Sequence, residues 1–327
     1  MASTSIKPKI LVFGSGAIGT IYVYLLLKAG CDVTAVCRSN YTAARDNGFH
    51  IDTTHSNNGP YDYLIVCCKA IPSAKTPQTI APAVTPNYTT IVLIQNGIDI
   101  EPEYSLTFPS TPLLTCIAYL PTTQNSPGHI TMGNNERLEI GTYPESSKSS
   151  TSAEILISLL KSSGSNTTYH PKIQERRWFK LLLNAPWNPI CALTLSRDVA
   201  FLSSLSSDGI SESIIRGVLQ EVILLSQSLG YTSITAEAAE AGFKVIKDRV
   251  GKMVGIEPSM LVDVLHGRAM EHEVILGNVV RKAREMGIEV PRLEMLYGLT
   301  KALDLATQKR KEGRSLDRED LGDVYQA

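Results

Sequence analysis

An apolar run, Ile10-Leu11-Val12-Phe13, breaks into Gly14-Ser15-Gly16-Ala17-Ile18-Gly19, and a helical pattern from Ile21 closes at Gly30. Strand, glycine-rich turn and helix in that order leave the backbone few arrangements. Gly14 permits the tight turn, Gly16 lets a pyrophosphate approach the backbone, and Gly19 lets helix pack on strand. The helix N-terminus then presents its N–H groups and positive dipole end to the phosphates. The whole stretch 14–19, with Ser15, Ala17 and Ile18, is therefore expected to bind a dinucleotide. A lone G-x-G-x-x-G is weak, but this one has the flanking strand and helix that the mechanism needs.

The choice of dinucleotide falls at the end of the next predicted strand, residues 31–37. NAD sites place Asp or Glu there to accept hydrogen bonds from the ribose hydroxyls. This chain has Arg38, followed by Ser39 and Asn40. A guanidinium pairs with the 2′-phosphate of NADP through parallel hydrogen bonds, where a carboxylate would repel it. NADPH/NADP+ is the expected cofactor, and a solvated surface arginine is the alternative reading of Arg38.

A chain of 327 residues with 43% hydrophobic content can support two cores. A net charge of −1 offers no field that invites nucleic acid or an anionic membrane. No apolar run approaches membrane-spanning or signal length, so a cytoplasmic protein is expected. The cysteines form no C-x-x-C pair and the histidines show no ligand spacing, which argues for reduced thiols and no metal. A G-x-S-x-G nucleophile elbow is absent.

Further strands are predicted at 61–68, 90–94, 113–119, 128–132 and 137–140, with an apolar helix at 153–162. Beyond Tyr169-His170-Pro171 strand signals stop and amphipathic helical patterns run over 172–185, 210–229, 236–250, 259–286 and 293–309. This switch of period divides the chain into a Rossmann-like α/β domain over 1–171 and an all-α domain over 172–327.

In the second half, Lys180, Asn184 and Asn188 recur every four residues and share one helical face. Phe179 and the leucines at 181–183 limit water around the lysine, and desolvation makes an ammonium a better proton donor near neutrality. Such a donor can stabilise and neutralise the oxyanion of a ketone under reduction. An ordinary amphipathic helix with its polar face in solvent is the competing reading.

The chain resembles the ketopantoate reductase (2-dehydropantoate 2-reductase) family across essentially its whole length. The pieces occur in the family's order: the loop 14–19, Cys68-Lys69-Ala70, Gln95-Asn96-Gly97, Lys180-x-x-x-Asn184-x-x-x-Asn188-Pro189, Pro258-Ser259-Met260-Leu261-x-Asp263, and Glu271 in the helix ending at Gly287. The resemblance implies an oxidoreductase that reduces a 2-keto acid such as 2-dehydropantoate to the 2-hydroxy acid with NADPH, a step of pantothenate biosynthesis. It implies Lys180 as general acid, Asn184, Asn188 and Ser259 as substrate contacts, and Glu271 as the acidic residue that meets the cofactor and organises the closed site. Lys69 and Asn96 match positions beside the cofactor, with Asn96 also within reach of substrate, and Arg38 matches the reader of the 2′-phosphate. Solvent exposure is the alternative for Glu271, as helix capping after Pro258 is for Ser259.

Three departures bear on the substrate. Where the family carries Asn-Gly after the lysine, this chain reads Ser196-Arg197-Asp198-Val199, which makes Asp198 a candidate substrate contact of changed type. Pro186 should bend the helix and shift Asn188, and Trp187 could fill pocket volume. The stretch Leu120-Pro121-Thr122 also differs from the small residues expected near the nicotinamide. A sister reductase acting on a bulkier ketone is therefore the second reading, and a non-catalytic NADP(H)-binding sensor or scaffold the third. The expected partner is a small-molecule ketone, with a homodimer as the assembly left open.

Overall fold

The computed structural model describes residues 7–37, 60–147, 149–204 and 207–311. The chain parts into two compact units, 1–177 and 178–327. The division falls inside a helix, a little beyond residue 171, and Arg177 at its end is buried.

The first unit is built on β1 (Lys9–Phe13), β2 (Asp32–Val36), β3 (Tyr63–Val66), β4 (Thr90–Leu93), β5 (Leu113–Tyr119), β8 (Arg137–Tyr143) and β9 (Thr167–Tyr169). Among the described residues these form one sheet in the order β2-β1-β3-β4-β5-β8-β9. The strands β2 to β5 are parallel, β8 runs antiparallel to β5, and β9 runs parallel to β8. β3 and β4 are buried at every position, as strands covered on both faces must be. A separate hairpin joins β6 (Thr122–Ser126) and β7 (His129–Met132).

Helix α1 (Ala17–Lys28) returns the chain after β1, while α2 (Thr76–Ile80), α3 (Glu101–Thr107) and α4 (Ser150–Ser162) follow later. Tyr22 and Leu26 of α1, with Leu156 and Leu160 of α4, join Ile10, Val12, Val92, Leu114 and Leu138 in one buried cluster. Each such side chain contributes roughly 1.5–3 kcal/mol by leaving water. The register sets Phe13 beside Val66 and Val66 beside Leu93. The segments leaving β1, β3 and β4 therefore emerge side by side at one edge of the sheet.

The second unit is helical, with most of α5 (Ile173–Thr194), then α6 (Asp198–Ser204), α7 (Ile210–Ser228), α8 (Ala236–Lys247), α9 (Ser259–Leu265), α10 (Asn278–Glu285) and α11 (Pro291–Lys311). Two differences from the sequence pattern matter. The helix expected to stop at 185 runs on through Pro186 and Pro189. Residues 184–192 are buried on every side, and that packing outweighs the donors the two prolines lack. The single helix expected over 259–286 is instead interrupted. α9 ends at Leu265, Gly267 takes a left-handed φ of 61°, and a π-turn over Glu273–Gly277 leads into α10. Among the described residues, no helix is long and apolar enough to cross a membrane.

Candidate functional site

The glycine loop occupies the edge of the sheet where β1 ends. Gly14 has φ 101°, and a Cβ there would lie 2.5 Å from the Cys68 nitrogen and 2.8 Å from its Cα. A Cβ at Gly19 would strike the Gly14 carbonyl and sit 3.2 Å from Cys67 Cβ. Glycine is thus demanded at both positions by the protein's own packing. Gly16 is different, since a Cβ there would meet no atom within 4 Å. The amides of Gly14 and Ser15 donate to the Val36 carbonyl at 3.2 and 3.3 Å, tying the loop to the end of β2.

The first helical bond of α1 runs from the Thr20 amide to the Gly16 carbonyl, 3.0 Å, so the N–H groups of Ala17, Ile18 and Gly19 lie outside the helical ladder. No side chain of Gly16 caps them and the first turn carries no acidic residue. Open space over Gly16 and an uncapped, uncharged helix start fit the pyrophosphate of a dinucleotide. Such ligands bind outside the carboxyl ends of parallel strands, where the chain departs to either side of β1. Arg38, the expected reader of the 2′-phosphate, lies outside the described residues.

Lys69 and Asn96 follow the neighbouring strands β3 and β4, and both are partly buried. Their segments are cross-linked. Gln95 Nε2 donates to the Cys68 carbonyl at 2.8 Å, and Tyr104 OH donates to Gln95 Oε1 at 3.3 Å. Burial pushes the Cys67 thiol well up, with the neighbouring Cys68 and Cys116 adding to the effect, so it stays protonated beside the loop.

Within the second unit, α5 carries Lys180, Asn184 and Asn188. Lys180 is half-buried and both asparagines are buried. Asn188 Nδ2 donates to Ser259 Oγ at 3.4 Å. Ser259 is the first residue of α9, and Pro258 holds the cap position without a side-chain bond. Capping is therefore not the employment of the Ser259 hydroxyl. Glu271 is buried, which removes the exposed-charge reading, and it stands just ahead of the π-turn.

Asp198 and Trp187 are both held inside the helical unit. Asp198 is buried, and its Oδ1 accepts from the Val199 and Ile256 amides, each at 2.7 Å. Its Oδ1 thus fixes the start of α6 and the segment leading to Ser259. Trp187 is buried and stacks on Phe243, ring centroids 6.4 Å apart, so it fills core and not a pocket.

The sequence reading passed over Glu273. Burial raises its carboxyl, but hydrogen bonds from Tyr297 OH, Lys301 and Arg281 at 2.7, 3.0 and 2.9 Å more than reverse this. The group is held at about 2. This network secures the turn immediately after Glu271.

A mixed sheet with a dinucleotide-type loop at the carboxyl end of its parallel strands, followed by a helical unit bearing buried amides and a lysine on one helix, is the arrangement of a class of two-domain oxidoreductases. Residues 10–145 match the family model described as Ketopantoate reductase PanE/ApbA, and residues 172–304 match its C-terminal counterpart. The chain belongs to the ketopantoate reductase family, whose members are nicotinamide-dependent oxidoreductases. The crystal structure of 2-dehydropantoate 2-reductase from Methylococcus capsulatus is 32% identical, with a TM-score of 0.78 over 94% of this chain and 99% of that one. An uncharacterized protein of Saccharomyces cerevisiae, YDL144C, is 29% identical over 94% of this chain and 96% of its own. A D-mandelate dehydrogenase solved with NADH and anilino(oxo)acetate shares the fold at 18% identity, TM-score 0.78, covering 91% of this chain and 99% of that one.

Proposed function

We propose that this chain reduces the ketone of a 2-keto acid of the 2-dehydropantoate kind to the 2-hydroxy acid, with NADPH as reductant. One observation carries the reading: Lys180, Asn184 and Asn188 lie at four-residue steps on one helix, the two amides are buried, and Asn188 is bonded to Ser259. Buried amides are costly unless their donors and acceptors are used, and a keto acid uses them. Bound NADPH supplies the hydride. The 14–19 loop and the start of α1 hold the phosphates, and Arg38 selects the 2′-phosphate. Lys69 and Asn96 line the nicotinamide side. Lys180 Nζ delivers the proton to the carbonyl oxygen, Asn184, Asn188 and Ser259 orient the substrate, and Glu271 orders the site around cofactor and lysine.

Trp187 and Asp198 pointed towards a different substrate in the sequence. Both also make contacts within the helical unit, Asp198 with two backbone amides and Trp187 with Phe243. A bulkier ketone remains the second reading, because Met253, Val254 and Ile256 are exposed apolar residues just ahead of Ser259. The fold also hosts a mandelate dehydrogenase.

The test is nicotinamide absorbance after mixing the protein with ketopantoate and either NADPH or NADH. NADPH-selective oxidation supports the reading. Binding of NADPH without oxidation moves the search to a panel of aryl and branched 2-keto acids, and turnover on none of them leaves a cofactor-binding protein. Arg38→Asp should reverse the preference for NADPH over NADH, and an unchanged preference would remove Arg38 from cofactor selection.

A further inference from the structure

Arg177, the last residue of the first unit, is 4% exposed. Its Nη1 donates to the Gln95 carbonyl at 3.0 Å and to the Gly97 carbonyl at 2.9 Å. Nη2 donates to the Cys116 carbonyl at 3.2 Å and to Thr115 Oγ1. Nε lies 2.7 Å from Glu101 Oε1 in a fully buried ion pair. Thr115 Oγ1 and Gln174 Nε2 donate to the same Glu101 oxygen at 2.6 and 3.0 Å.

A buried ion pair is a poor device for stability alone, since well-packed apolar residues do as well or better. This one is not optimised for stability, because Glu101 Oε2 is buried with no hydrogen-bond partner. Apolar residues could not, however, hold two carbonyls that flank a single residue. The Gln95 and Gly97 carbonyls bracket Asn96, and Gly97 is kept at φ 92°, a conformation glycine alone adopts readily. The Gln95 side chain then passes the restraint to the Cys68 carbonyl, next to Lys69. One guanidinium therefore fixes the loop that carries Asn96 and, through Gln95, the segment that carries Lys69.

The strand order says which part of a dinucleotide these segments meet. β2 lies on one side of β1, and β3 and β4 lie on the other. With strands spaced about 4.8 Å apart, the end of β4 is roughly 10 Å from the glycine loop, on the side away from β2. A dinucleotide centred on that loop, with its adenosine towards β2, extends its nicotinamide half towards β3 and β4.

We propose that Arg177 is a positioning residue for the nicotinamide half of the cofactor site, acting through the Asn96 loop. The assignment rests on the NADPH reading above. Glu101 neutralises the buried charge of Arg177, which acts through the loop carbonyls it holds.

The test compares full-length protein with Arg177→Lys, which keeps the charge but loses the fork that spans two carbonyls, and with a double variant, Arg177→Met with Glu101→Met, which removes both charges together. Dissociation constants are measured by fluorescence titration for NADPH and by calorimetry for 2′,5′-ADP, the adenosine half alone, with circular-dichroism melts alongside. NADPH binding should weaken about tenfold or more in both variants, while 2′,5′-ADP stays within about twofold and the melts stay cooperative. Equal weakening of both ligands would show general structural support and overturn the assignment, as would unchanged NADPH binding. If the double variant does not fold, Arg177→Lys decides alone. Wild-type protein that binds neither ligand overturns the cofactor reading itself, and the role of Arg177 with it.

Discussion

Asn188 donates to Ser259 across 3.4 Å, joining two candidate substrate residues that stand 71 positions apart in the chain. The bond couples the amide and the hydroxyl, and on the proposed reading the pair meets one ligand. Asn188→Ala and Ser259→Ala should each raise KM for the keto acid by about tenfold, with NADPH affinity unchanged. The double variant should be little worse than either single one, because coupled neighbours are not additive. Fully additive losses in steady-state kinetics would mean the two residues act separately.

Lys180 sits eight residues before Asn188 on the same helix, half-buried. Lys180→Ala should lower kcat by on the order of 10²-fold or more while NADPH still binds. Stopped-flow reduction and fluorescence titration on the same preparation separate the two effects. Turnover close to wild type would take the proton-donor role away from this residue.

Gly16 and Gly19 of the loop should respond differently to alanine. At Gly16 there is room for a methyl group within 4 Å, so Gly16→Ala should melt like wild type and lose NADPH affinity, because the methyl group occupies the ligand's approach. At Gly19 the added carbon collides with the Gly14 carbonyl, so Gly19→Ala should lower the melting temperature as well. Paired melts with and without NADPH distinguish the cases.

Acid stability offers a separate check on the helical unit. The folded Glu273 carboxyl is held at about 2, below its ordinary 4.5, so it adds stability in full above 4.5 and loses that contribution as the pH falls towards 2. Glu273→Gln should flatten this part of the acid-unfolding profile and leave the curve above pH 6 parallel to wild type. A slope unchanged by the substitution would place the acid sensitivity elsewhere.

Local chemistry made much of this molecule readable in advance. The strands around Ile10, Ile65 and Val92 announce themselves by unbroken apolar runs, and the glycine loop by spacing between strand and helix. The four-residue step from Lys180 to Asn188 needs only helical periodicity. What escaped the sequence depends on partners far away along the chain. Pro186 and Pro189 would ordinarily end a helix, and only burial on all sides keeps α5 intact. Trp187 reads as a pocket filler until Phe243 is seen beside it. The bond from the Ile256 amide to Asp198 joins residues 58 positions apart, which no local pattern announces. Arg177 gave no periodic signal, since its partners Gln95, Gly97, Glu101 and Thr115 belong to a distant loop, helix and strand. Gly267 was the one legible cue to the break after α9, and the apolar pattern on either side concealed it.

The close approach of Gly14 to Cys68, and of Gly19 to Cys67, carries the demands of the glycine run into a part of the chain that contains none of it. Bulk added at the end of β3 would be felt at the phosphate loop as surely as bulk added to the loop itself. An engineering library that diversifies positions 67 and 68 therefore resculpts the glycine loop by proxy, and one meant to leave that loop untouched should keep both cysteines as they are.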